Sequence, residues 1–396
     1  MDKKDKKARV DTDNKDKKDK KHKKARVEGA TDVGGAAGEA SDPSVETTGR
    51  KWTLSVGLPG TLLDAPSSVE FAVATAGQIH RAAANFQVDE VVVYDDSLAA
   101  TTFQPGQPLS AASVTPGTAL LARILQYLDT PPHLRPNMYP EEVLQQHPEL
   151  RLAASLPVLS PPHHARPSAV WMPYREGVVL KAEAGTGSYV DVGLDRMVYL
   201  EHSLQQGARV TVHLGDMEPV TRFFAAYSET MIVGTVVPPS EPRERLGLYW
   251  GYTVRIALGL QRVFKDAAVS KTGSYDLTIG SSPAGADTDP GSLVMPRFKH
   301  ALMVFGGGSP VAAAAAVAEG GAKAKPKAVP GQAVPQQDLD QMVNRVPDWE
   351  HKTPQDVFNL YLNTTPHLGT LRIRTEDAIP VALSYLIMPL LKYGKQ

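Results

Sequence analysis

The order of strand-like and helix-like patterns sets strict limits on how this chain folds. A short apolar run at Trp52–Leu58 ends at Pro59-Gly60, residues 68–87 space their apolar side chains as a helix does, and "DEVVVYDD" at 89–96 is typical of a strand. Because strand–helix–strand units place their strands parallel, the sequence predicts an α/β fold with a mainly parallel sheet. A second helix is predicted at Ala119–Leu128, before Pro131-Pro132.

A block with a different residue pattern interrupts this alternation of strands and helices. Between about Arg166 and Arg243 the chain consists of short, alternating, Val-rich stretches separated by Gly-containing turns. This spacing favours antiparallel strands and is long enough for a barrel of about five of them. The sequence therefore predicts an inserted, OB-like antiparallel β-barrel, with a generic β insertion as the alternative.

The α/β pattern then returns and continues to the C-terminus. We predict a helix in "GLYWGYTVRIALGLQRVFKD", strands in "YDLTIGSS", "KHALMVFGGGSP" and "DVFNLYLNTT", and a final helix after "RIRTEDAI". An Ala/Pro/Gly/Lys-rich stretch is predicted to be a disordered insertion. The predicted segments are a disordered tail (1–50), the α/β domain in three parts (51–165, 244–310 and 351–396), the β insertion (166–243) and the disordered insertion (311–350).

Composition excludes several classes of site and gives the chain a basic end. The chain has no cysteine, which excludes disulfides, thiolate metal sites and cysteine nucleophiles. It also has no apolar run long enough for a membrane span and no signal-peptide pattern, so we expect a soluble intracellular protein. Residues 1–28 contain 13 Lys or Arg against 7 Asp or Glu, whereas the whole chain has a net charge of -1. We expect this Lys-rich tail to be disordered and to serve nuclear or nucleolar targeting, RNA contact or only solubility.

Three predicted strands of the second α/β block end in small, hydrogen-bonding residues. These ends are Asp276–Ser282, Met303–Gly308 and Leu360–Gly369, the last followed by a helix start rich in Arg, Thr and carboxylates. Ligands of open α/β sheets bind at the carboxyl ends of the strands, and glycine lets the backbone approach them closely. The glycines match neither a phosphate-binding loop nor a dinucleotide fingerprint. We therefore expect a ligand site here that is not a nicotinamide or nucleotide site of those kinds.

Eight sequence blocks, in order, resemble the SPOUT-class RNA methyltransferases. More narrowly, they resemble the archaeal and eukaryotic subgroup with an OB-like insertion, whose human member is also described as a centromere and spindle protein. The resemblance covers about residues 51–310 and 354–392. The blocks are "WTLSVGLPGTLLD", "AGQIHRAAANFQVDEVVVYDD", "LARILQYLDTPPHLRP", "SPPHHARP", "GLYWGYTVRIAL", "YDLTIGSS", "HALMVFGG" and "LYLNTTP…RIRTEDAI".

This resemblance implies a fold feature, a cofactor and a set of residues that hold it. It implies a deep trefoil knot at the C-terminal end of the sheet, bound S-adenosylmethionine, and a homodimer whose active site uses both subunits. An ion pair between Arg374 and Glu376 that only supports the helix start is the alternative for that part of the site. The cofactor-binding residues implied are Gly280, Ser281, Gly306, Gly307, Asn363, Thr364, Gly369, Arg374 and Thr375.

The same resemblance implies a catalytic residue and contacts with RNA. Arg81, one helical turn after Gly77 in "GQIHRAA", would polarise the target base, stabilise developing charge or anchor a phosphate. His163, His164 and Arg166 in "SPPHHARP" would form a hinge into the insertion that contacts RNA or the core. These histidines lack the spaced partners of a zinc site, so no metal is expected. The aromatic residues Phe86, Tyr249, Trp250 and Tyr252 are predicted to belong to the core or a dimer interface.

One departure from the family pattern leaves two functions open. The family often has a Glu-Arg pair in the loop after "TIG", where this chain has Ser282-Pro283-Ala284-Gly285. The first function is an S-adenosylmethionine-dependent methyltransferase of structured RNA, with pre-rRNA in the nucleolus as the expected substrate and uridine N3 as the target that the family resemblance alone implies. The alternative is a non-catalytic RNA-binding assembly factor that pairs with an active paralogue. The dimer is then either a homodimer or a heterodimer, and no membrane partner is expected.

Overall fold

The computed structural model describes the two predicted ordered blocks and the insertion between them. The Lys-rich tail, Arg166, Arg372 and most of the Ala/Pro-rich stretch lie outside the described residues, so the predictions made for them stay predictions. The described residues are 49–64, 68–97, 100, 114–164, 171–183, 187–225, 227–307, 338–370 and 373–395.

Strands and helices alternate in the first and last parts of the chain, and strands dominate the middle. Short 3-10 helices lie at Gly60–Leu63, Pro162–His164, Leu260–Arg262 and Pro347–Trp349. The strands are β1 (Thr53–Pro59), β2 (Glu90–Asp95), β3 (Tyr174–Glu183), β4 (Gly187–Asp191), β5 (Val198–Leu200), β6 (Arg209–His213), β7 (Val220–Phe224), β8 (Glu229–Val237), β9 (Thr253–Leu258), β10 (Leu277–Asp287), β11 (His300–Phe305) and β12 (Leu360–Asn363). The α-helices are α1 (Val69–Asn85), α2 (Pro116–Asp129), α3 (Arg135–Met138), α4 (Glu141–Gln146), α5 (Glu149–Ala154), α6 (Glu241–Leu246), α7 (Leu339–Val343), α8 (Pro354–Val357) and α9 (Thr375–Tyr393).

The first sheet has the order β12-β10-β11-β1-β2-β9, and every neighbouring pair in it is parallel. The prediction of a mainly parallel α/β sheet is therefore confirmed. Its central strands β1 and β11 are buried on both faces, as expected where both faces of the sheet are covered. Residues of α1, α2 and α9 pack in one core cluster, and residues of α7 belong to a second one.

The helices that cover this sheet begin and end at residues the sequence marks. Ser68 caps α1 by accepting a hydrogen bond from the backbone N–H of Phe71, and Thr115 caps α2, which has Pro116 in its first turn. The helix α2 ends at Asp129, just before Pro131-Pro132, and so confirms the second predicted helix. Among the described residues, no helix is both long enough and apolar enough to cross a membrane.

The helix predicted in "GLYWGYTVRIALGLQRVFKD" is wrong. Residues Thr253–Leu258 form β9, an edge strand parallel to β2. Glycines with positive φ at Gly247, Gly251 and Gly259 interrupt any helix through this segment, and the β-branched residues between them fit a strand. Arg255 on this strand pairs with the buried carboxylate of Glu90 on β2 at 3.1 Å, a contact between strands that no local pattern encodes.

The middle block is a β-barrel, as predicted. Strands β5, β4, β3, β6 and β8 are joined in that order, and pairing of β5 with β8 closes them into a five-stranded barrel. The strand β7 pairs with β8 alone. Val179, Val190 and Val212 are among the residues that fill the interior, because alternate residues of each strand point inward.

Part of the segment predicted to be disordered is folded. The insertion was predicted over residues 311–350, but Leu339–Val343 form α7 and Pro347–Trp349 form a 3-10 helix. Leu339, Met342, Val343 and Val346 are buried against the sheet. Their spacing is that of a helix face, which the surrounding Ala/Pro/Gly composition masked.

Candidate active site

The carboxyl ends of β10, β11 and β12 meet around a cavity of about 270 Å³. These three strands are neighbours in the sheet, so the three small-residue ends singled out in the sequence come together. The start of α9 and the start of α7 complete the wall. The described residues that line the cavity are Ser281, Ser282, Pro283, Phe305, Gly306, Asp338, Leu339, Thr364, Thr365, Ile373, Thr375 and Ala378.

Hydroxyl groups tie the walls of this cavity together. The Oγ of Ser281 and the Oγ1 of Thr364 are 2.9 Å apart and join the ends of β10 and β12. Thr375, the first residue of α9, donates a hydrogen bond from Oγ1 to the carbonyl oxygen of Gly306, at 2.8 Å. The helix start is therefore held directly against the end of β11.

Gly306 is required by close packing of two backbone segments. A Cβ atom at this position would lie 2.5 Å from the backbone nitrogen of Leu339. Such a distance is too short for any side chain unless α7 moves. Glycine at the end of β11 thus lets the start of α7 close the cavity.

The loop that departs from the family pattern is a bulge in β10. Both Ser281 and Ala286 pair with Leu362 of β12, so residues 282–285 are extra in β10 and loop out of the ladder. Gly285 lies in this bulge, where a Cβ atom would be 2.3 Å from the backbone carbon of Leu362. The bulge therefore turns Ser282 and Pro283 toward the cavity.

Two carboxylates stand at the wall formed by α7. Asp338 lines the cavity, and Asp340 accepts hydrogen bonds from the hydroxyl of Tyr361 and from the Oγ of Ser282. Burial raises the pKa of Tyr361, and its hydrogen bond to Asp340 raises that pKa further. The phenol therefore stays protonated and donates to the carboxylate.

Four of the predicted cofactor residues, Ser281, Gly306, Thr364 and Thr375, line this cavity together. Gly307 follows Gly306 directly and is buried. Asn363 lies next to Thr364, donating to Asp287 at 2.8 Å and accepting from the backbone of Thr365 at 3.0 Å. The cofactor roles of Gly307 and Asn363 stay predictions.

The other three predicted cofactor residues lie away from the lining. Gly280 is packed between aromatic side chains, where a Cβ atom would be 2.8 Å from the rings of Phe358 and Tyr361. Gly369 is exposed with no atom within 4 Å of such a Cβ. Arg374 is largely exposed and pairs with Glu376 at 2.6 Å, the ion pair that the sequence left open as an alternative.

The acidic wall of the cavity carries no motif that marks it in the sequence. Asp338, Leu339 and Asp340 fall within the stretch predicted to be disordered, and Ala378 is not among the predicted site residues. The apolar spacing Leu339, Met342, Val343 and Val346 is the signal that could have found α7.

Arg81, the predicted catalytic residue, lies on α1 in a different place. It lines a small cavity of about 20 Å³ together with His80, Arg135 and His164. Burial, aided by the charge of Arg135, lowers the pKa of His80 to about 4. Burial and the adjacent His163 lower the pKa of His164 to about 3. Within one chain, Arg81 is not among the described residues that line the larger cavity.

His163 and His164 point into the protein, at the junction of the α/β domain and the barrel. Both rings are buried, and each lies near the backbone oxygen of Asp129, at 3.2 Å and 2.8 Å. These contacts fit the predicted hinge that touches the core, and an RNA contact of these residues stays a prediction. Among the described residues no group of three or more His, Asp or Glu could hold a metal ion.

Asp129 at the end of α2 joins the two parts of the molecule. Its carboxylate accepts from Arg209 of the barrel at 3.1 Å and from the backbone of Tyr252 at 3.1 Å. Burial alone would raise the pKa of Asp129, but the facing His163 and Arg209 hold it well below its ordinary value. Tyr249, Trp250 and Tyr252 are buried, as expected of core residues.

Open parallel α/β sheets bind small molecules at the carboxyl ends of their strands, and this sheet has a cavity lined by hydroxyl groups there. A family model described as "Putative RNA methyltransferase" matches residues 53–386. The chain belongs to this family of RNA methyltransferases.

Relatives in animals match most of the chain. It is 36% identical over 352 residues to the 28S rRNA (uridine-N(3))-methyltransferase of Homo sapiens, covering 88% of this chain and 81% of that protein. The protein of the same name from Mus musculus is 37% identical over 88% of this chain and 79% of its own length. The one from Drosophila melanogaster is 34% identical over 84% of this chain and 61% of its own length.

Proposed function

We propose that this protein transfers a methyl group from S-adenosylmethionine to N3 of a uridine in large-subunit ribosomal RNA. The observation that carries this proposal is the polar cavity at the ends of β10, β11 and β12, in a chain whose relatives of that activity match most of its length. Such a protein would act in the nucleus, in particular in the nucleolus, where ribosomal precursor RNA is made.

The residues of the cavity fit the proposed cofactor. Gly306 lets the start of α7 close the cavity, and the hydroxyls of Ser281, Thr364 and Thr375 offer hydrogen bonds to the polar groups of a ligand. When bound, S-adenosylmethionine supplies a methyl group on a positively charged sulfur. The protein would bind and orient this group and keep water from it, and catalysis would consist mainly of positioning and electrostatics.

Arg81 would act on the base rather than on the cofactor. Uracil acquires negative charge as its N3 loses a proton, and the permanent charge of a guanidinium stabilises it. Because Arg81 lines a separate cavity of its own chain, we assign it to the active site of the partner in a homodimer.

The outer face of α9 supports such a dimer. Val381, Met388 and Leu391 share this face and are 43%, 70% and 53% exposed. A helix that is apolar on its outer face as well as its inner one requires a partner. A second copy of this chain fits as that partner. The SPOUT fold also implies a trefoil knot, which would lie at the C-terminal end of the sheet.

The barrel and the Lys-rich tail would hold the RNA. The barrel is small and five-stranded, the size of an OB fold, a class that binds oligonucleotides. The 13 basic residues within residues 1–28 would add contacts to phosphates. His163 and His164 lie at the junction of the α/β domain and the barrel. Together with Arg166, two residues further along the sequence, they would link RNA contact to the core.

The proposal is tested by incubating the purified protein and labelled S-adenosylmethionine with ribosomal RNA from cells that lack it. A methyl on N3 blocks the pairing edge of uridine, so we expect one new stop of reverse transcriptase in large-subunit RNA. Arg81→Ala should abolish that stop while S-adenosylmethionine binding persists. RNA binding without any methyl transfer would contradict the proposal and favour the non-catalytic assembly factor. That alternative is suggested by Ser282–Gly285, which replace the Glu-Arg pair of the family.

A further inference from the structure

Asp338 gives the cavity a negatively charged wall at a defined place. It directly precedes α7, and Leu339, the next residue, is in close backbone contact with the position of Gly306. Among the described residues that line the cavity, Asp338 is the only one with a charged side chain. The carboxylate is half-buried, so water screens its field less than it would at the surface.

A second carboxylate stands behind the first and is held by the cavity wall. Asp340 accepts hydrogen bonds from Tyr361 of β12 and from Ser282 of the bulge, the latter at 3.4 Å. These two hydrogen bonds fix the position of the Asp340 carboxylate. Asp338 thus places a negative charge in a cavity whose other described lining residues are neutral, and Asp340, two residues further along the chain, adds a second negative charge outside the lining.

This charge pattern selects among ligands that contain adenosine. Nucleotides with phosphates would be repelled. S-adenosylmethionine carries two positive centres, the sulfonium and the α-ammonium, against one carboxylate, and so carries a net positive charge. A carboxylate beside a cation gains a charge-assisted interaction that a neutral hydroxyl of ribose does not match.

We propose that Asp338, supported by Asp340, is a specificity-determining residue that pairs with a positive centre at the methionine end of the cofactor. This inference rests on the proposed function, because it assigns one wall of the same cavity to one part of the same ligand. It extends that function by explaining how the protein would favour the charged methyl donor over uncharged adenosine compounds.

The test compares three ligands on the full chain by calorimetry. S-adenosylmethionine has both positive centres, S-adenosylhomocysteine keeps only the ammonium, and 5′-methylthioadenosine has neither. We expect Asp338→Asn to weaken S-adenosylmethionine binding about tenfold or more, since a charge-assisted bond is worth about 1.5–3 kcal/mol. Binding of 5′-methylthioadenosine should change less than about twofold. A smaller loss for the homocysteine compound identifies the sulfonium as the partner, and an equal loss identifies the ammonium.

The matched control is Asp348→Asn, which removes a carboxylate from the exposed 3-10 helix of the same segment and should affect none of the three ligands. Thermal unfolding without ligand shows whether each variant is folded, and Asn retains the helix-capping ability of Asp. Tyr361→Phe provides a second variant, which should weaken S-adenosylmethionine binding more than methylthioadenosine binding.

Three results would overturn the inference in different ways. Equal losses for all three ligands would place Asp338 against the ribose. Unchanged binding of S-adenosylmethionine by folded Asp338→Asn would remove its role and leave the proposed function standing. Failure of the unaltered protein to bind S-adenosylmethionine would overturn both.

Discussion

At the scale of single residues, Gly306 is the position where a small change should have the largest effect on the cavity. Gly306→Ala places a methyl group 2.5 Å from the backbone nitrogen of Leu339, so α7 must move away. Overpacking of this kind costs about 1–3 kcal/mol. We expect a lower midpoint of urea unfolding and at least a tenfold loss of S-adenosylmethionine affinity by calorimetry.

The matched control is Gly369→Ala, because that position has open space around it and was also predicted from the sequence to bind the cofactor. It should leave stability unchanged to within about 0.5 kcal/mol. Equal stability and equal cofactor affinity of the two variants would show that α7 does not close the cavity as described.

At the scale of elements, the junction between α2 and the barrel depends on Asp129. Asp129→Asn keeps the volume but removes a buried charge that faces Arg209 and His163. Loss of this charge-assisted hydrogen bond should cost about 2 kcal/mol, since Arg209 keeps Glu176 as a second partner. Urea unfolding followed by tryptophan fluorescence would measure this, since Trp250 lies at the junction.

Arg151→Gln is the control for that prediction, because it breaks an ion pair with Glu141 in which both side chains are more than half exposed. Exposed pairs contribute at most about 1 kcal/mol. An Asp129→Asn variant no less stable than Arg151→Gln would argue that the buried pair does not hold the barrel.

Lowering the pH should reduce the free energy of unfolding through histidines buried near this junction. The pKa values of His80 and His164 are lowered by burial to about 4 and about 3, below the ordinary value of 6.5. The unfolded chain therefore binds protons that the folded chain excludes, and stability is lost as the pH falls from about 6.5 toward 4. Each histidine contributes about 2 kcal/mol of this loss between pH 7.5 and 5.

His80→Gln should remove part of this dependence while leaving the remaining histidine to titrate. The measurement is the free energy of unfolding at pH 7.5 and at pH 5 for both proteins. The same difference between the two pH values in the variant and in the unaltered protein would rule out His80 as a source.

At the scale of the whole molecule, the exposed face of α9 should decide both assembly and activity. Met388→Glu combined with Leu391→Glu places two charges on this apolar face. We expect the unaltered protein to sediment as a dimer and the double variant as a monomer. If Arg81 acts on the partner's cofactor site, the monomer should bind S-adenosylmethionine normally and lose methyl transfer.

Met217→Glu provides the control, since Met217 is 80% exposed on the barrel and lies away from α9 in the chain. It should leave the sedimentation coefficient and methyl transfer unchanged. A double variant that remains a dimer, or a monomer that is fully active, would contradict the arrangement proposed for the two subunits.

Local sequence pattern was sufficient for much of the fold and for part of the site. The parallel sheet, the helix of residues 116–129 and the barrel all follow from the periodicity of apolar residues, which depends only on near neighbours. Ser281, Gly306, Thr364 and Thr375, which the family resemblance marks, lie together around one cavity, and their cofactor role stays a prediction. The type of a helix or strand can be predicted from the pattern of residues that are close together in the chain.

Contacts between distant segments were decided by the tertiary structure alone. β9 is a strand because Arg255 meets Glu90 on β2 and glycines with positive φ break the helix pattern. Asp338 reaches the cavity because the start of α7 packs against Gly306, a contact that composition concealed. Arg81 on α1 lines a different cavity from the one at the strand ends of its own chain. Apolar periodicity records which face of an element is buried, but the neighbour that buries it is chosen by the packing of the whole chain.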